Sequence, residues 1–415
     1  MKNKLTPLER KWVLYDVGNS TFALLTASIL PIYFNHLSTM ASVSEENYLA
    51  AWSYAAAIST VLVGLLGPVF GTLADFKNRK KRMFIISLIL GVLSLFSFWL
   101  TQNWLVFLIL FVLCKVFFSI SLVIYDSMLV DVAPQDDLDM VSSKGYAYGY
   151  IGSVIPFVIS LVFILFYEQI GISFTTAMAL TFTINAGWWF VCSLPLVKSY
   201  RQKHFAPRQS HAIVDAFKRL GKTFSNIRKE KKIFLFMLAF FFYIDGVYTV
   251  MEMATAYGTS LGLDQSGLLL ALLVTQIVAF PASIIVGMMA KKYSTAALIK
   301  VGILGYLGIS IFALFMATLW QFWILAILVG CFQGGIQALS RSYFAKIIPE
   351  DASGEYFGLF DIAGKGASFL GTLLVGLITQ ITGQQNLAVG CLSVLFIIGF
   401  LIFNKVSKLP DPEEA

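Results

Sequence analysis

Apolar residues run through this chain in twelve long stretches, at about 12–36, 48–74, 83–101, 104–133, 145–168, 174–197, 233–261, 266–290, 296–318, 321–347, 356–383 and 386–404. A helix needs roughly 20 predominantly apolar residues to cross a bilayer, and each stretch meets that length. The breaks between them are short and polar, apart from 198–232. The pattern predicts an all-α membrane protein with twelve transmembrane helices. In the tenth stretch Gln333, Gln337 and Arg341 are spaced i, i+4, i+8, so a helix sets them in one polar stripe. The rest of that helix is apolar, and polar side chains in such a segment face a bundle interior or a water-filled cavity.

Charge outside the stretches sets the orientation. Lys2, Lys4, Arg10 and Lys11 precede the first, and Lys77, Arg79, Lys80, Lys81 and Arg82 follow the second. The same side receives 198–232, Lys291, Lys292, Lys300, Lys346, Lys405 and Lys408. The opposite loops (36–47, 101–103, 168–173, 261–265, 318–321 and 383–386) contain no Lys or Arg. The positive-inside rule then places both termini in the cytoplasm, for a multi-pass protein expected in a bacterial plasma membrane. The net charge of +7 reflects this topology and points to no nucleic-acid partner. The first stretch is too long for a cleavable signal peptide and carries Asp16 and Asn19. Composition agrees, with 58% hydrophobic residues, 13% charged and a mean hydropathy of +0.79. Cys114, Cys192, Cys331 and Cys391 lie within the stretches at no metal or disulfide spacing, and read as packing residues.

The single long connection divides the chain into 1–197, a linker at 198–232, and 233–415. The linker holds eleven Lys and Arg against Asp215 and Glu230. Within it Ile213, Phe217, Leu220, Phe224 and Ile227 share a helical face, which predicts an amphipathic helix on the membrane surface, in contact with lipid. A regulatory docking site is the alternative. The stretches on the two sides are faintly alike: 125–136 lines up with 340–351, setting Asp126 opposite Arg341 and Pro134 opposite Pro349. Gly145, Gly149 and Gly152 have counterparts in Gly358, Gly364, Gly366 and Gly371. Two parallel six-helix repeats joined by such a linker resemble the major facilitator superfamily, which implies two pseudo-symmetric six-helix bundles.

The loop between the second and third stretches carries the same resemblance. Gly71, Asp75, Asn78, Arg79 and Lys80 fit the superfamily's G-x-x-x-D-x-x-G-R-K signature, with Asn in place of the second glycine. Asn tolerates a left-handed turn, so the fit survives. The resemblance implies that Gly71 allows close helix approach, that Asp75 meets a neighbouring helix end, and that Arg79 pairs with an acid ending the fourth stretch, here Asp131. The corresponding second-half loop, 287–291, has no Asp. A narrower likeness covers nearly the whole chain: 15–22, 31–34, 333–342 and 355–360 are similar to the autophagy-related vacuole effluxer family, which has bacterial members. It implies secondary transport, with amino-acid efflux as the role attached to the fungal members.

Ionisable residues within the stretches are costly to bury and are therefore candidate functional sites. Lys115, Asp245 and Lys365 lie near the middle of the fourth, seventh and eleventh; Glu252 lies farther out on the face of Asp245, seven residues on. Asn19, Lys115, Asp245, Gln333, Gln337 and Lys365 are the candidate substrate-cavity residues. Each of Lys115 and Asp245 also fits a structural pair with another helix, and Asp361 and Lys365, at i, i+4, fit mutual neutralisation. Asp245 and Glu252 are the candidate proton-coupling residues. Asp126 and Arg341, each eight residues before its proline, are a candidate gate pair across the axis; pairing within each bundle is the alternative. Gly330 and Gly334 form a small-residue face suited to packing or to sliding.

His36, His204 and His211 lie outside or at the edges of the stretches, and no nucleotide loop, metal cluster or nucleophile motif accompanies them. The expectation is a secondary transporter, not an enzyme, that needs no cofactor. It acts as a monomer on a small-molecule substrate, with a proton as co-substrate. A lipid or drug exporter of the same fold, and a polytopic scaffold or membrane enzyme, are the alternatives.

Overall fold

A computed structural model describes residues 4–43, 45–206, 221, 223, 230–260 and 262–410, excepting the side chains of 45–50, 255, 256, 259, 260, 265, 266, 269, 365–369 and 385. The regular elements of the described chain are helices, beside one isolated β-bridge between Phe76 and Ala206. Ten helices are long and apolar enough to cross a membrane, and an eleventh span is formed by Pro7–Ala27 and Ile29–Met40, bent 43° at Ser28. Pro31, one turn beyond the bend, can donate no bond to the preceding turn, and so opens the helix there. The twelfth is Ser353–Thr382, continuous through its charged and glycine-rich first half. In chain order the spans are Pro7–Met40, Glu45–Asp75, Lys80–Phe96, Trp104–Ser127, Leu138–Leu165, Phe174–Ser199, Lys231–Ser260, Gln265–Met289, Thr295–Ala313, Leu319–Ile347, Ser353–Thr382, and Gln385–Gly390 with Leu392–Val406. They are called spans one to twelve below.

Local chemistry sets several of the ends. Thr6 and Glu9 form a capping box at the start of span one. Asn103 receives the backbone N–H groups of Leu105 and Val106. Asp264 and Ser294 cap spans eight and nine in the same manner. Gly383, in the left-handed region at φ 66°, ends span eleven.

Spans one to six pack into one bundle and seven to twelve into another. Between them span two lies along span eleven, and span five lies along spans eight and ten. Leu65, Leu93, Ile109, Val191 and Phe315 are exposed on the outside, as lipid-facing side chains are. Polar side chains turn inward instead: Asp16, Asn19, Asp75, Lys80, Asp131, Asp245, Gln333 and Arg341 are all buried. Gly330 and Gly334 pack on span eight, where an added Cβ would meet Thr275 O at 2.8 Å and Ser283 Oγ at 1.8 Å.

The first residues of the linker fold back over the loop between spans two and three. Ala206 N donates to Asp75 O at 2.9 Å, and Gln202 Nε2 donates to the carbonyls of Ala74 and Asp75. The amphipathic segment expected farther along the linker falls largely outside the described residues.

Candidate functional site

Hydrogen bonds that cross from one bundle to the other gather on the side of the linker, in three layers. The innermost is built on Arg341 of span ten. Its Nη1 is 2.9 Å from Asp126 Oδ1 on span four, and its Nη2 is 3.2 Å from Asp16 Oδ2 on span one. Nε donates to Ser142 Oγ at 2.9 Å, and Nη2 also donates to Ser142 O at 3.1 Å, both on span five. The guanidinium lies over the rings of Trp12 and Tyr146, 4.7 and 4.4 Å from their centroids. Such stacking strengthens on desolvation, and Arg341 is only 2% exposed. Asn19 Nδ2 donates to Asp16 Oδ1 and steadies it. Gly145 leaves the space: a Cβ there would stand 2.3 Å from Asp16 Oδ2. One cation from the second bundle is thus shared by two carboxylates of the first.

The next layer is centred on Asp139, at the start of span five. Lys346 Nζ of span ten lies 2.6 Å from its Oδ2, Thr295 Oγ1 of span nine donates to the same oxygen, and Ser342 Oγ donates to Oδ1. The outermost layer is the signature loop. Asp75 accepts the backbone N–H groups of Gly354 and Glu355 at 2.7 and 2.8 Å, an anion at the N-terminal end of span eleven. Gly71 meets Gly354 there, so closely that a Cβ on Gly71 would fall 2.1 Å from Gly354 O. Asn78 takes φ 63°, the left-handed turn that the signature's glycine provides.

The expected pairing of Asp131 with Arg79 does not occur. The cation near Asp131 is Lys80, whose Nζ is 3.9 Å from Asp131 Oδ2, 3.5 Å from Asp75 Oδ1, and donates to Ser353 Oγ at 2.8 Å. The helix restarts at Lys80 with Arg79 as its cap, so Lys80 points inward while Arg79 lies against the Phe76 ring. Asp131 is otherwise held by the hydroxyl of Tyr200, whose phenol is pushed well above its ordinary pKa by burial and then by that carboxylate.

Beyond Arg341, toward the far side, the stripe continues. Gln337 Nε2 donates to Tyr150 OH across the bundles at 3.2 Å and to Gln333 O at 3.1 Å. Gln333 is 1% exposed, and its Nε2 has no hydrogen-bond partner among the described residues. Asp245 does not line the space between the bundles. It is fully buried inside the second one, where Oδ1 accepts Gly371 N at 2.9 Å and Thr249 Oγ1 at 3.4 Å. Its Oδ2 has no donor among the described residues. Glu252, expected on the same face, is exposed. Lys115 is half-buried, with Nζ 5.9 Å from the Phe111 ring centroid. The backbone of Lys365 lies in span eleven, and its side chain is outside the described residues. Ser142, Asp139, the pairing of Lys80 with Asp75 and Asp131, and the sharing of Arg341 with Asp16 were not expected from the sequence. Asp16 and Asp139 carried a signal as acids within or at the edge of a span, and Lys80 as the signature's lysine.

The vacuole effluxer Atg22-like family model matches residues 8–138 and 131–408. The chain belongs to that family. Among Atg22-like relatives, an uncharacterized MFS-type transporter, YxiO of Bacillus subtilis (strain 168), is 42% identical over 420 residues, covering 100% of this chain and 97% of its own. Autophagy-related protein 22-1 of Penicillium rubens is 28% identical over 62% of this chain, which spans only 47% of that longer protein. Solved structures of similar shape include the major facilitator transporter FucP in the outward conformation, with TM-score 0.73 at 14% identity, covering 97% of this chain and 98% of that one. The proton:xylose symporter XylE also matches with TM-score 0.73, at 13% identity and 98% and 96% coverage. At these identities the likeness is one of fold, the twelve-helix, two-bundle major facilitator fold. With the family match and the 42% identity to an MFS-type transporter, the Atg22-like chain is a multi-pass membrane transporter of that superfamily.

Proposed function

We propose that this Atg22-like transporter moves a small solute by alternating access, with 1–197 and 233–415 rocking as units about the stripe of span ten. The observation that carries the proposal is Arg341, presented by one bundle and bound by Asp16 and Asp126 of the other. Such a contact forms when the linker side shuts and is given up when it opens. Orientation follows the lysine asymmetry, which supports a cytoplasmic linker side. Amino-acid efflux is the first substrate class to test, supported by the effluxer name of the family. Asn19, Gln333, Gln337, Lys115 and Lys365 are the cavity residues proposed to meet the solute.

Coupling to protons is assigned first to Asp245 and second to Glu252. A buried carboxyl group with one oxygen undonated among the described residues is suited to carry a proton, because a bare buried carboxylate costs several kcal/mol. The test begins with thermal stabilisation of the purified protein by amino acids, sugars, drugs and lipids, which identifies the solute class. Proteoliposomes then measure uphill and downhill movement of that solute. Asp245→Asn is expected to abolish proton-driven accumulation and leave downhill exchange intact. Normal accumulation by both Asp245→Asn and Glu252→Gln would remove the coupling assignment.

A further inference from the structure

We propose that His204 is a proton-operated latch, fastening the linker to both bundles and holding the linker-side gate shut. The described start of the linker, 198–206, also carries Lys198, Tyr200, Arg201 and Lys203. His204 Nδ1 is 3.1 Å from Asp131 Oδ1, at the end of span four, and its Nε2 is 3.0 Å from Glu350 Oε2, in the turn between spans ten and eleven. One imidazole thus spans the two bundles. It is reachable from water, with the His204 and Glu350 side chains 34% and 43% exposed.

The charge state decides how many of these contacts hold. A neutral imidazole has one N–H and one lone pair, so in either tautomer one ring nitrogen sets its lone pair against a carboxylate oxygen. Only the imidazolium donates at both ends, and histidine is the side chain that ordinarily titrates in the physiological range. The two contacts are not equally dependent on it. Asp131 Oδ1 also accepts the backbone N–H groups of Lys203 and His204, at 3.1 and 2.9 Å, and Oδ2 accepts Tyr200 OH with Lys80 Nζ at 3.9 Å. Those bonds keep the linker on span four whatever the ring does. Asp75, 3.5 Å from Lys80, is itself engaged at span eleven. The contact to Glu350 is the one that crosses between bundles, and it has the ring as its partner in the latch. Proton loss therefore releases the inter-bundle link and spares the anchoring one.

The sign follows from linkage. In the shut form the protonated ring donates to both carboxylates and the neutral ring to one only, so acid on the linker side favours closure and alkali favours opening. One linked proton changes the shut-to-open ratio by at most about tenfold per pH unit. The inference rests on the moving gate proposed above and adds its regulation: in a cytoplasmic setting, acidification would slow the transporter.

The test uses the full chain in lipid nanodiscs, with Cys114, Cys192, Cys331 and Cys391 replaced by Ala and spin labels on Arg82→Cys and Lys292→Cys, both exposed on the linker side. Distance distributions are recorded between about pH 5.5 and about pH 8.5, bracketing the histidine range. The expected result is a short-distance population that falls on the order of tenfold or more relative to the long one as pH rises. His204→Gln and Glu350→Gln should each flatten that response, and His204→Arg should hold the short distance throughout. A pH response in His204→Gln equal to that of the parent, or no response in the parent, overturns the latch while leaving two distances in view. A single distance under every condition, Arg341→Gln included, removes the moving gate itself and the latch with it.

Discussion

Replacing Arg341 by Gln takes away the cation that buried Asp16 and half-buried Asp126 share and leaves both carboxylates without it. Breaking a buried ion pair by removing one partner costs about 3–5 kcal/mol. In the proposed cycle these contacts exist only while the linker side is shut, so the whole cost falls on the shut form. At about 1.4 kcal/mol per tenfold, even the lower figure changes the shut-to-open ratio on the order of 100-fold. The assay is the rate at which an impermeant thiol reagent, added from the linker side, modifies Gln337→Cys. That position is one turn, about 6 Å of helix, beyond Arg341. Arg341→Gln should raise the rate by up to the same factor. Asp126→Arg and Arg341→Asp should each impair transport, and the double swap should restore part of it. Restoration is partial because Asp16 stays in place and then faces a like charge at position 341. An unchanged labelling rate in correctly inserted Arg341→Gln refutes the reasoning, and a double swap with no rescue removes Asp126 from the gate.

Gly71→Ala puts a methyl group 2.1 Å from Gly354 O, a backbone atom that cannot rotate away. It should disfavour closure by about 1–3 kcal/mol, read as a longer distance between labels at Arg82 and Lys292, whereas Gly64→Ala, with nothing within 4 Å, should be silent. Cysteines replacing Gln333 and Gln337 should react with small aqueous reagents from one side or the other during turnover, with solute protecting. Ala338→Cys, from a position fully buried on another face, should react less, and equal inertness at all three would make the stripe packed structure.

The spans were legible because a bilayer demands length and apolarity together, although span five starts at Leu138, seven residues before its apolar stretch. The bend at Ser28 was not, since 12–36 reads as one apolar run and Pro31 alone does not fix an angle. Asp75 was legible down to its type of partner, a helix end, because a spaced signature encodes that geometry. The choice between Arg79 and Lys80 was lost for a rotational reason. Neighbouring residues on a helix differ by about 100° in direction, so beginning the helix at one or the other decides which cation turns inward. The internal repeat placed Asp126 and Arg341 at one depth, and they meet at 2.9 Å. It said nothing of Asp16, Ser142 or Asp139, which lie outside the aligned segment 125–136. Partners of that kind are set by tertiary packing, which periodicity does not report.

The claim at the centre of this account is that transport requires the linker-side seam to part. Thr295 Oγ1 donates to Asp139 Oδ2 across it at 2.7 Å, so Asp139→Cys with Thr295→Cys sets two thiols on opposite bundles within reach of a short bifunctional cross-linker. The measurement is uptake, by proteoliposomes, of the solute found in the stabilisation screen, before cross-linking, after it, and after cleavage of the linker. The account predicts loss of transport on cross-linking and its return on cleavage, with each single cysteine variant unaffected by the reagent. Undiminished transport through a fully cross-linked protein would contradict it.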